Sequence, residues 1–205
     1  MIESLPVGRL RENCYLFICD DEKKGALIDP GANGEKIKRW LADKDVKIEY
    51  ILLTHGHWDH IGAVEELRRE YNAIVGIHAD DTAMLGSPEL NLSMIWSTPI
   101  SCQPADLIFQ DGQTFKVGNC EFKVIHTPGH SPGSSCFLTY EALFAGDTLF
   151  FESVGRTDLP GGSEEQIKES IKTKLFSLPE KTRVLPGHGP ETTIDREKKH
   201  NSYLR

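Results

Sequence analysis

The stretch Thr54-His55-Gly56-His57-Trp58-Asp59-His60 places three imidazoles and a carboxylate within six consecutive residues. Imidazole and carboxylate are nitrogen and oxygen ligands suited to zinc, iron or manganese. His55 and His57, two residues apart, can point the same way from an extended segment. Asp59 and His60 are adjacent and cannot share that direction, which suits them to a second ion beside the first. The stretch therefore reads as a two-metal site.

Its flanks set the local structure. Tyr50-Ile51-Leu52-Leu53 reads as a buried strand whose end delivers the motif. Beyond it Ile61, Val64, Leu67 and Tyr71 form one helical face opposite Glu65, Glu66, Arg68 and Arg69, so Asp59 and His60 are expected at a helix N-terminus. Upstream, strands are expected over 2–7, 14–19 and 26–29 as an antiparallel meander, with a charged turn over 20–25 and a helix over 34–44. Downstream, 73–78 suits a strand, and 79–105 is mixed. Its apolar patch Met94-Ile95-Trp96 reads as core, because an apolar run is more often packing than recognition. Strands return over 107–109, 113–117, 120–125, 135–139 and 142–145, with turns at Asp111-Gly112 and Gly118-Asn119. Ser163 and Gln166 form a capping-box signal for a helix to about 176, a last strand covers 182–185, and a short polar helix covers 194–203. Two mixed sheets packed face to face with helices outside would bury both sets of strands, as one candidate among several α/β and α+β layouts.

A chain of 205 residues with 39% hydrophobic content supports one sizeable core, and 1–205 reads as a single domain. Lys and Arg total 23 against 31 Asp and Glu, a net charge of -8 that opposes a phosphate-binding surface and nucleic acid as a partner. Met1-Ile2-Glu3-Ser4-Leu5-Pro6 carries no basic segment followed by an apolar run, and no stretch approaches the ~18 apolar residues of a membrane span. A cytoplasmic protein without membrane contact is expected. Five cysteines, an odd number with no C-x-x-C pair, point to free and mostly buried thiols, none beside the histidine cluster in sequence.

Three further segments share one design, a ligand-type residue after a glycine at a strand end: Pro128-Gly129-His130, Ala145-Gly146-Asp147 and Pro186-Gly187-His188. Glycine there permits close backbone approach or a positive φ. Each alone is compatible with a turn carrying an incidental His or Asp, but together they follow the first cluster in a set order.

By His55-x-His57-x-Asp59-His60, His130, Asp147 and His188, the chain resembles the metallo-β-lactamase superfamily nearly end to end. Within it, Thr127-Pro128-Gly129-His130-Ser131-Pro132-Gly133-Ser134, Gly146-Asp147-Thr148-Leu149-Phe150 and Gly155-Arg156-Thr157-Asp158 resemble small bacterial proteins similar to glyoxalase II. The resemblance implies an αββα sandwich with the site at one edge of the two sheets. It also implies that His55, His57 and His130 hold one divalent metal and Asp59, His60 and His188 a second, with Asp147 bridging them. Zinc is the expected metal, and iron or manganese is admissible. Arg156 corresponds to the family's substrate-binding cation, whereas Asp158 and Pro190 stand where that family has aromatic residues. His78, His126 and His200 are expected to be structural or exposed, Trp58 to pack behind the ligand loop, and Thr54 to orient a ligand through its hydroxyl.

Two cations ~3.5–4 Å apart lower the pKa of a shared water toward ~7 and polarise a carbonyl. Asp59 would orient that water. No extra acid is conspicuous for a leaving group, which suits a thiolate, with a thiol pKa of ~8.5, better than an amine. Joined to the resemblance, this favours hydrolysis of a small acyl thioester such as S-lactoylglutathione. A lactamase is disfavoured by the lack of a secretion signal and by Asp147 where that branch commonly has cysteine, and a processing ribonuclease by the acidic balance. The rivals are a mononuclear-iron thiol or persulfide dioxygenase, from a branch that shares the Gly-Arg-Thr-Asp segment, and a metal-dependent binding module without turnover. The ~17 residues after His188 are too short for the helical domain that binds glutathione in glyoxalase II, so a weak KM and tolerance of other thiols are expected.

Overall fold

In the run Cys14-Tyr15-Leu16-Phe17-Ile18-Cys19 every residue is apolar, so neither face of such a strand can meet water. The computed structural model, which describes residues 1–19, 21–140 and 142–205, meets that demand with two sheets stacked face to face and helices outside both. The first sheet holds β1 (Ile2–Val7), β2 (Glu12–Cys19), β3 (Lys24–Ile28), β4 (Lys47–Leu52), β5 (Ile74–His78) and β6 (Leu107–Phe109) in chain order. Pairing is antiparallel from β1 to β3, the expected meander, and parallel from β3 to β6. Its connections carry α1 (Gly34–Leu41), α2 (Trp58–Ile61), α3 (Val64–Tyr71), α4 (Thr82–Gly86) and α5 (Ser93–Trp96).

The second half supplies β7 (Thr114–Val117), β8 (Cys120–His126), β9 (Ser135–Leu138), β10 (Ala142–Gly146), the small hairpin of β11 (Leu149–Phe150) and β12 (Ser153–Val154), β13 (Arg183–Pro186) and β14 (Thr192–Thr193). The second sheet runs β14-β13-β10-β9-β8-β7, with β10 and β13 parallel. Helix α6 (Glu164–Ser170) starts at Ser163, whose Oγ accepts from Gln166 N–H at 3.3 Å, and widens into a π-helical turn over Ile171–Leu175. Helix α7 (Ile194–His200) follows β14.

Successive strand residues alternate between layers, as the two-residue period requires. Tyr15, Phe17, Ile28, Leu52, Phe122, Phe137, Phe144 and Leu185 meet between the sheets. Cys14, Leu16, Leu27 and Ile51 face α1 and α3, while Cys136, Leu143, Ala145 and Val184 face α6 and α7. Aromatic pairs bridge the layers: Phe17 meets Phe122 edge-on at 4.8 Å between ring centres, and Tyr15 meets Phe144 at 5.5 Å. The αββα architecture expected from the resemblance is the one observed.

Several local expectations need correction. The helix expected across Ile61 to Tyr71 is two, because a Cβ at Gly62 would stand 2.3 Å from the Gly31 carbonyl oxygen, and Ala63 N–H bonds Pro30 O at 2.9 Å. The chain bends there to meet the loop after β3; Asp59 and His60 do lie at a helix N-terminus, in the single turn of α2, while the apolar face from Val64 onward belongs to α3. The patch Met94-Ile95-Trp96 is not core: the three side chains are 54%, 69% and 41% exposed. The charged turn starts at Asp20, outside the described residues; residues 21–23 form a turn and Lys24 opens β3.

The interlocked aromatics between the sheets are the largest fully buried side chains. Phe17→Ala should cost ~3–5 kcal/mol of unfolding free energy. Denaturant unfolding of metal-free protein measures this, and a loss below ~1 kcal/mol would contradict the packing described.

Candidate metal centre

Strands β3, β4, β8, β10 and β13 end at the same edge of the sandwich, and the loops beyond them carry every ligand-type residue singled out in the sequence. The sheets are tied together there. Asn13 donates from its backbone N–H to Gly187 O at 2.7 Å and from Nδ2 to Pro186 O at 3.0 Å. Tyr15 OH donates to Pro186 O at 2.8 Å, and Ser135 N–H to Thr54 O at 2.8 Å.

One buried carboxylate organises the first ligand loop. Asp29, at φ 50° just past β3, accepts from Thr54 N–H at 2.8 Å and from Thr54 Oγ1 at 2.6 Å, and its Oδ2 lies 3.0 Å from His60 Nδ1. Since the Thr54 hydroxyl proton is committed to Asp29, its oxygen accepts from His55 Nδ1–H at 3.1 Å. His55 and His60 thereby direct Nε2 inward. His130 does the same, its Nδ1–H donating to Arg156 O at 2.7 Å, and its Nε2 comes within 2.9 Å of His57 Nδ1. The expected orienting role of Thr54 is therefore visible as a hydrogen bond.

Three overlapping groups of ligand atoms result, His55/His57/His130, Asp59/His60/His188 and, sharing a histidine with each, Asp29/His55/His60, the atoms of each within 4.8 Å of one another; the first two are the sets expected from the resemblance. Asp147 lies between them. Its Oδ1 is 3.4 Å from His60 Nε2, and its Oδ2 is 3.5 Å from His130 Nε2 and 3.7 Å from His188 Nε2. His188 Nε2 is also 3.3 Å from Asp59 Oδ2. Gly187 makes the approach possible, since a Cβ there would sit 2.4 Å from Asp147 Oδ1 and 2.8 Å from His60 Cε1. Gly146, at φ 47°, similarly has Thr54 Oγ1 at 2.2 Å from a Cβ position.

The electrostatics divide the ligand histidines: against the opposing effect of burial, the carboxylates around His60 and His188 raise the pKa of those two, while His55 and His57 are lowered. Burial, then the neighbouring His60, His130 and His57, holds His55 well below the ordinary histidine pKa, and burial with His130 lowers His57 to about 3, so both rings keep a lone pair at neutral pH. Burial opposes charge on Asp147, but the fields of His60, His130 and His188 outweigh it and hold the carboxyl well below its usual range. His55 Nε2, His60 Nε2 and Asp147 Oδ1 are buried without a hydrogen-bond partner among the described residues. Orphaned polar atoms of this kind cost ~1–3 kcal/mol each, and divalent cations would satisfy all three. The donor set fits a metal.

Other residues were not signalled by sequence motifs. Asp29 is one, its place at a strand end before Pro30-Gly31 being the only hint in the sequence. Asp81 is another: buried, it accepts from Gly56 N–H, Ser131 Oγ and Gly133 N–H at 3.1, 2.7 and 2.6 Å, joining the His55–His57 loop to the His130 loop. Glu12 is fully buried 4.0 Å from His60 Nδ1, and burial pushes its pKa well above the usual carboxyl value, favouring the neutral acid. His78 and His126 stack in parallel at 3.9 Å, with His126 Nε2 2.8 Å from Pro132 O; with Asp80 they form a ligand-type group apart from the centre. His200 is exposed at the end of α7.

A cavity of about 600 Å³ opens over Asp59, Asp147 and His188. Trp58 lines it instead of packing behind the ligand loop, and the exposed Trp96 forms part of the same wall. Arg9 and Arg156 also line it. The Arg156 fork is already engaged, with Nε and Nη2 donating to the two Asp158 oxygens at 2.7 and 2.8 Å and the guanidinium 5.7 Å from the Trp96 ring centre.

Residues 7–188 match the family model described as "Metallo-beta-lactamase superfamily". Among curated proteins, the chain is 39% identical over 203 residues to "Probable metallo-hydrolase YqgX" of Bacillus subtilis, covering 98% of this chain and 95% of that one. It is 37% identical over 207 residues to "Hydroxyacylglutathione hydrolase GloC" of Haemophilus influenzae, covering 99% and 97%. Among solved structures it is similar to BLEG-1 B3 metallo-beta-lactamase, with a TM-score of 0.95, 40% identity and coverage of 100% and 99%. It is likewise similar to TTHA1623 in a di-iron-bound form, at 0.87, 36% and coverage of 98% and 100%. The likeness to ETHE1 from Myxococcus xanthus is 0.82 at 30% identity, covering 98% and 83%. No helix among the described residues is long and apolar enough to cross a membrane. The fold, the residues at its edge and these likenesses agree: the chain belongs to the metallo-β-lactamase superfamily.

Proposed function

We propose that this chain is a metal-dependent hydrolase that cleaves small acyl thioesters of the S-lactoylglutathione class at a dinuclear centre. The observation that carries this reading is the position of Asp147 between the His55/His57/His130 and Asp59/His60/His188 groups of ligand atoms, one oxygen toward His60 and the other toward His130 and His188. Seven donor residues exceed what one tetrahedral ion uses. His55, His57 and His130 would hold one divalent cation and Asp59, His60 and His188 the other, with Asp147 placed to serve both. Zinc is the expected metal, with iron the alternative raised by the di-iron relative. When bound, such a pair of cations supplies a water acidic enough to lose its proton near pH 7 and a positive charge for the oxygen of the attacked carbonyl.

The protein's own groups then do the positioning. Asp59, at the cavity floor, accepts a hydrogen bond from the attacking water and orients it. Arg156 O holds the His130 tautomer, while Asp29 and Thr54 hold those of His60 and His55. The titratable groups lining the cavity are the donor residues themselves and two arginines, and arginine is not an acid at neutral pH. A leaving group that needs no proton suits such a wall. Thiolate qualifies, with a thiol pKa of ~8.5, and an amine does not. The 37% identity to a hydroxyacylglutathione hydrolase supports the same substrate class.

A second reading, a mononuclear-iron thiol or persulfide dioxygenase, is favoured by the likeness to ETHE1. Metal analysis with paired assays separates the two. Fully loaded protein should contain close to two ions per chain, hydrolyse S-lactoylglutathione and consume no oxygen with a persulfide. A plateau at one iron with oxygen uptake would replace the hydrolase reading, and the likeness to BLEG-1 makes a β-lactam the necessary third substrate.

Asp147→Ala should remove nearly all hydrolysis with the fold retained. Asp29→Asn, which touches no substrate, should weaken metal binding ~10–100-fold through the misdirected His60 and Thr54, read by chelator competition. Near-normal kcat in the first or unchanged metal affinity in the second would contradict these roles. Arg156→Ala should raise KM for a carboxylate-bearing thioester more than it lowers kcat, and Asp158→Ala, which frees the guanidinium fork, should lower KM. Steady-state kinetics on the two variants checks both signs.

A further inference from the structure

We propose that Cys19 and Cys120 form an oxidisable thiol pair which a peroxide closes to a disulfide, stapling the two sheets together at the end of the sandwich away from the metal centre. Cys19 ends β2 in the first sheet and Cys120 opens β8 in the second, 101 residues apart in sequence. Their sulfurs lie 2.8 Å apart, within about 0.8 Å of the ~2.05 Å bonded distance. The backbone on both sides enforces that approach. Cys19 is paired with Lys24 and Cys120 with Val117, so each thiol sits on a fixed strand end. Gly118, at φ 57° in the β7–β8 turn, lies so close that a Cβ there would be 3.0 Å from Cys19 Sγ. Closing the bond therefore requires the two sulfurs to approach by about 0.8 Å more.

The other cysteines lie elsewhere in the layers. Cys14 and Cys102 are buried in the core beneath α1 and α3, and Cys136 is buried on the outer side of the second sheet. Cys120 is partly exposed, so a dissolved oxidant can reach it. The chemistry closes with hydrogen peroxide alone. The Cys120 sulfur attacks one peroxide oxygen, the O–O bond breaks, and a sulfenic acid and one water form. The Cys19 sulfur then attacks the Cys120 sulfur, the S–O bond breaks, and the oxygen leaves as a second water with the remaining thiol proton. Two thiols lose two electrons and two protons, and one peroxide becomes two waters. Burial and the adjacent Cys19 push the Cys120 thiol up to about 12, so the reaction accelerates as pH rises and more thiolate is present.

Position decides the consequence. Strand β2 runs eight residues from Glu12, beside His60, to Cys19, and its seven intervals span about 23 Å at ~3.3 Å per residue. The bond would constrain a loop of roughly 100 residues in the unfolded chain, which the chain-entropy account makes strongly stabilising. It touches no ligand.

The test uses zinc-loaded protein treated with hydrogen peroxide at pH 8, then unfolded, alkylated and mapped by peptide mass. Three alkylated cysteines of the five, a linked Cys19–Cys120 peptide, reversal by dithiothreitol and a Tm higher by on the order of 10 °C are expected. Cys120→Ser, with normal zinc content as the check on its fold, should keep its remaining thiols and show no rise in Tm under the same treatment. Five alkylated cysteines in the treated wild type, a bond between any other pair, or Cys120 ending as a sulfinic acid would each overturn the pairing. A Cys19–Cys120 bond with no rise in Tm would overturn its role as a staple.

Discussion

The carboxylate of Asp29 is the constraint on which the edge of this sandwich depends. Its two oxygens take the Thr54 N–H, the Thr54 hydroxyl and the His60 Nδ1 side at 2.6–3.0 Å. In a buried setting such bonds are strong and their loss leaves uncompensated charge. Through them the end of β3 sets the course of the chain leaving β4, and through the Thr54 hydroxyl it reaches His55. One acid thus governs the ring orientation of a histidine in each group of ligand atoms. Asp81 performs the complementary task across the gap between the sheets, where it holds the first ligand loop against the loop that carries His130.

What was legible in the sequence follows from what local pattern can encode. The strands were readable because Tyr15, Phe17, Phe122 and Phe144 belong to apolar runs whose two-residue period survives folding. The seven ligand-type residues were readable because imidazoles and carboxylates after glycines are rare in combination, and the structure gathers all seven at one edge. Asp29 and Asp81 were not, since a lone aspartate after a strand looks like any turn residue until the partner 25 to 52 residues away is known. The break at Gly62 was hidden for the same reason: the obstacle is the Gly31 carbonyl, a tertiary neighbour.

Met94-Ile95-Trp96 illustrates the opposite error. Apolar composition predicted burial, yet α5 is a single short turn on the surface, and Trp96 serves as a wall of the cavity and a platform for Arg156. Hydrophobic residues that face solvent beside a polar cleft are a recognition surface more often than a packing fault. Trp58 fits the same description, placed by α2 so that the helix carrying Asp59 and His60 also presents an aromatic face to whatever enters.

Arg156 occupies two roles through two ends of one residue. Its carbonyl oxygen accepts from His130 Nδ1–H at 2.7 Å, while its side chain lies along the cavity against Trp96 and Asp158. The peptide that fixes the His130 ring and the cation that lines the cavity thus belong to one residue, so a change of backbone path between Gly155 and Asp158 would disturb the ligand set and the cavity wall together.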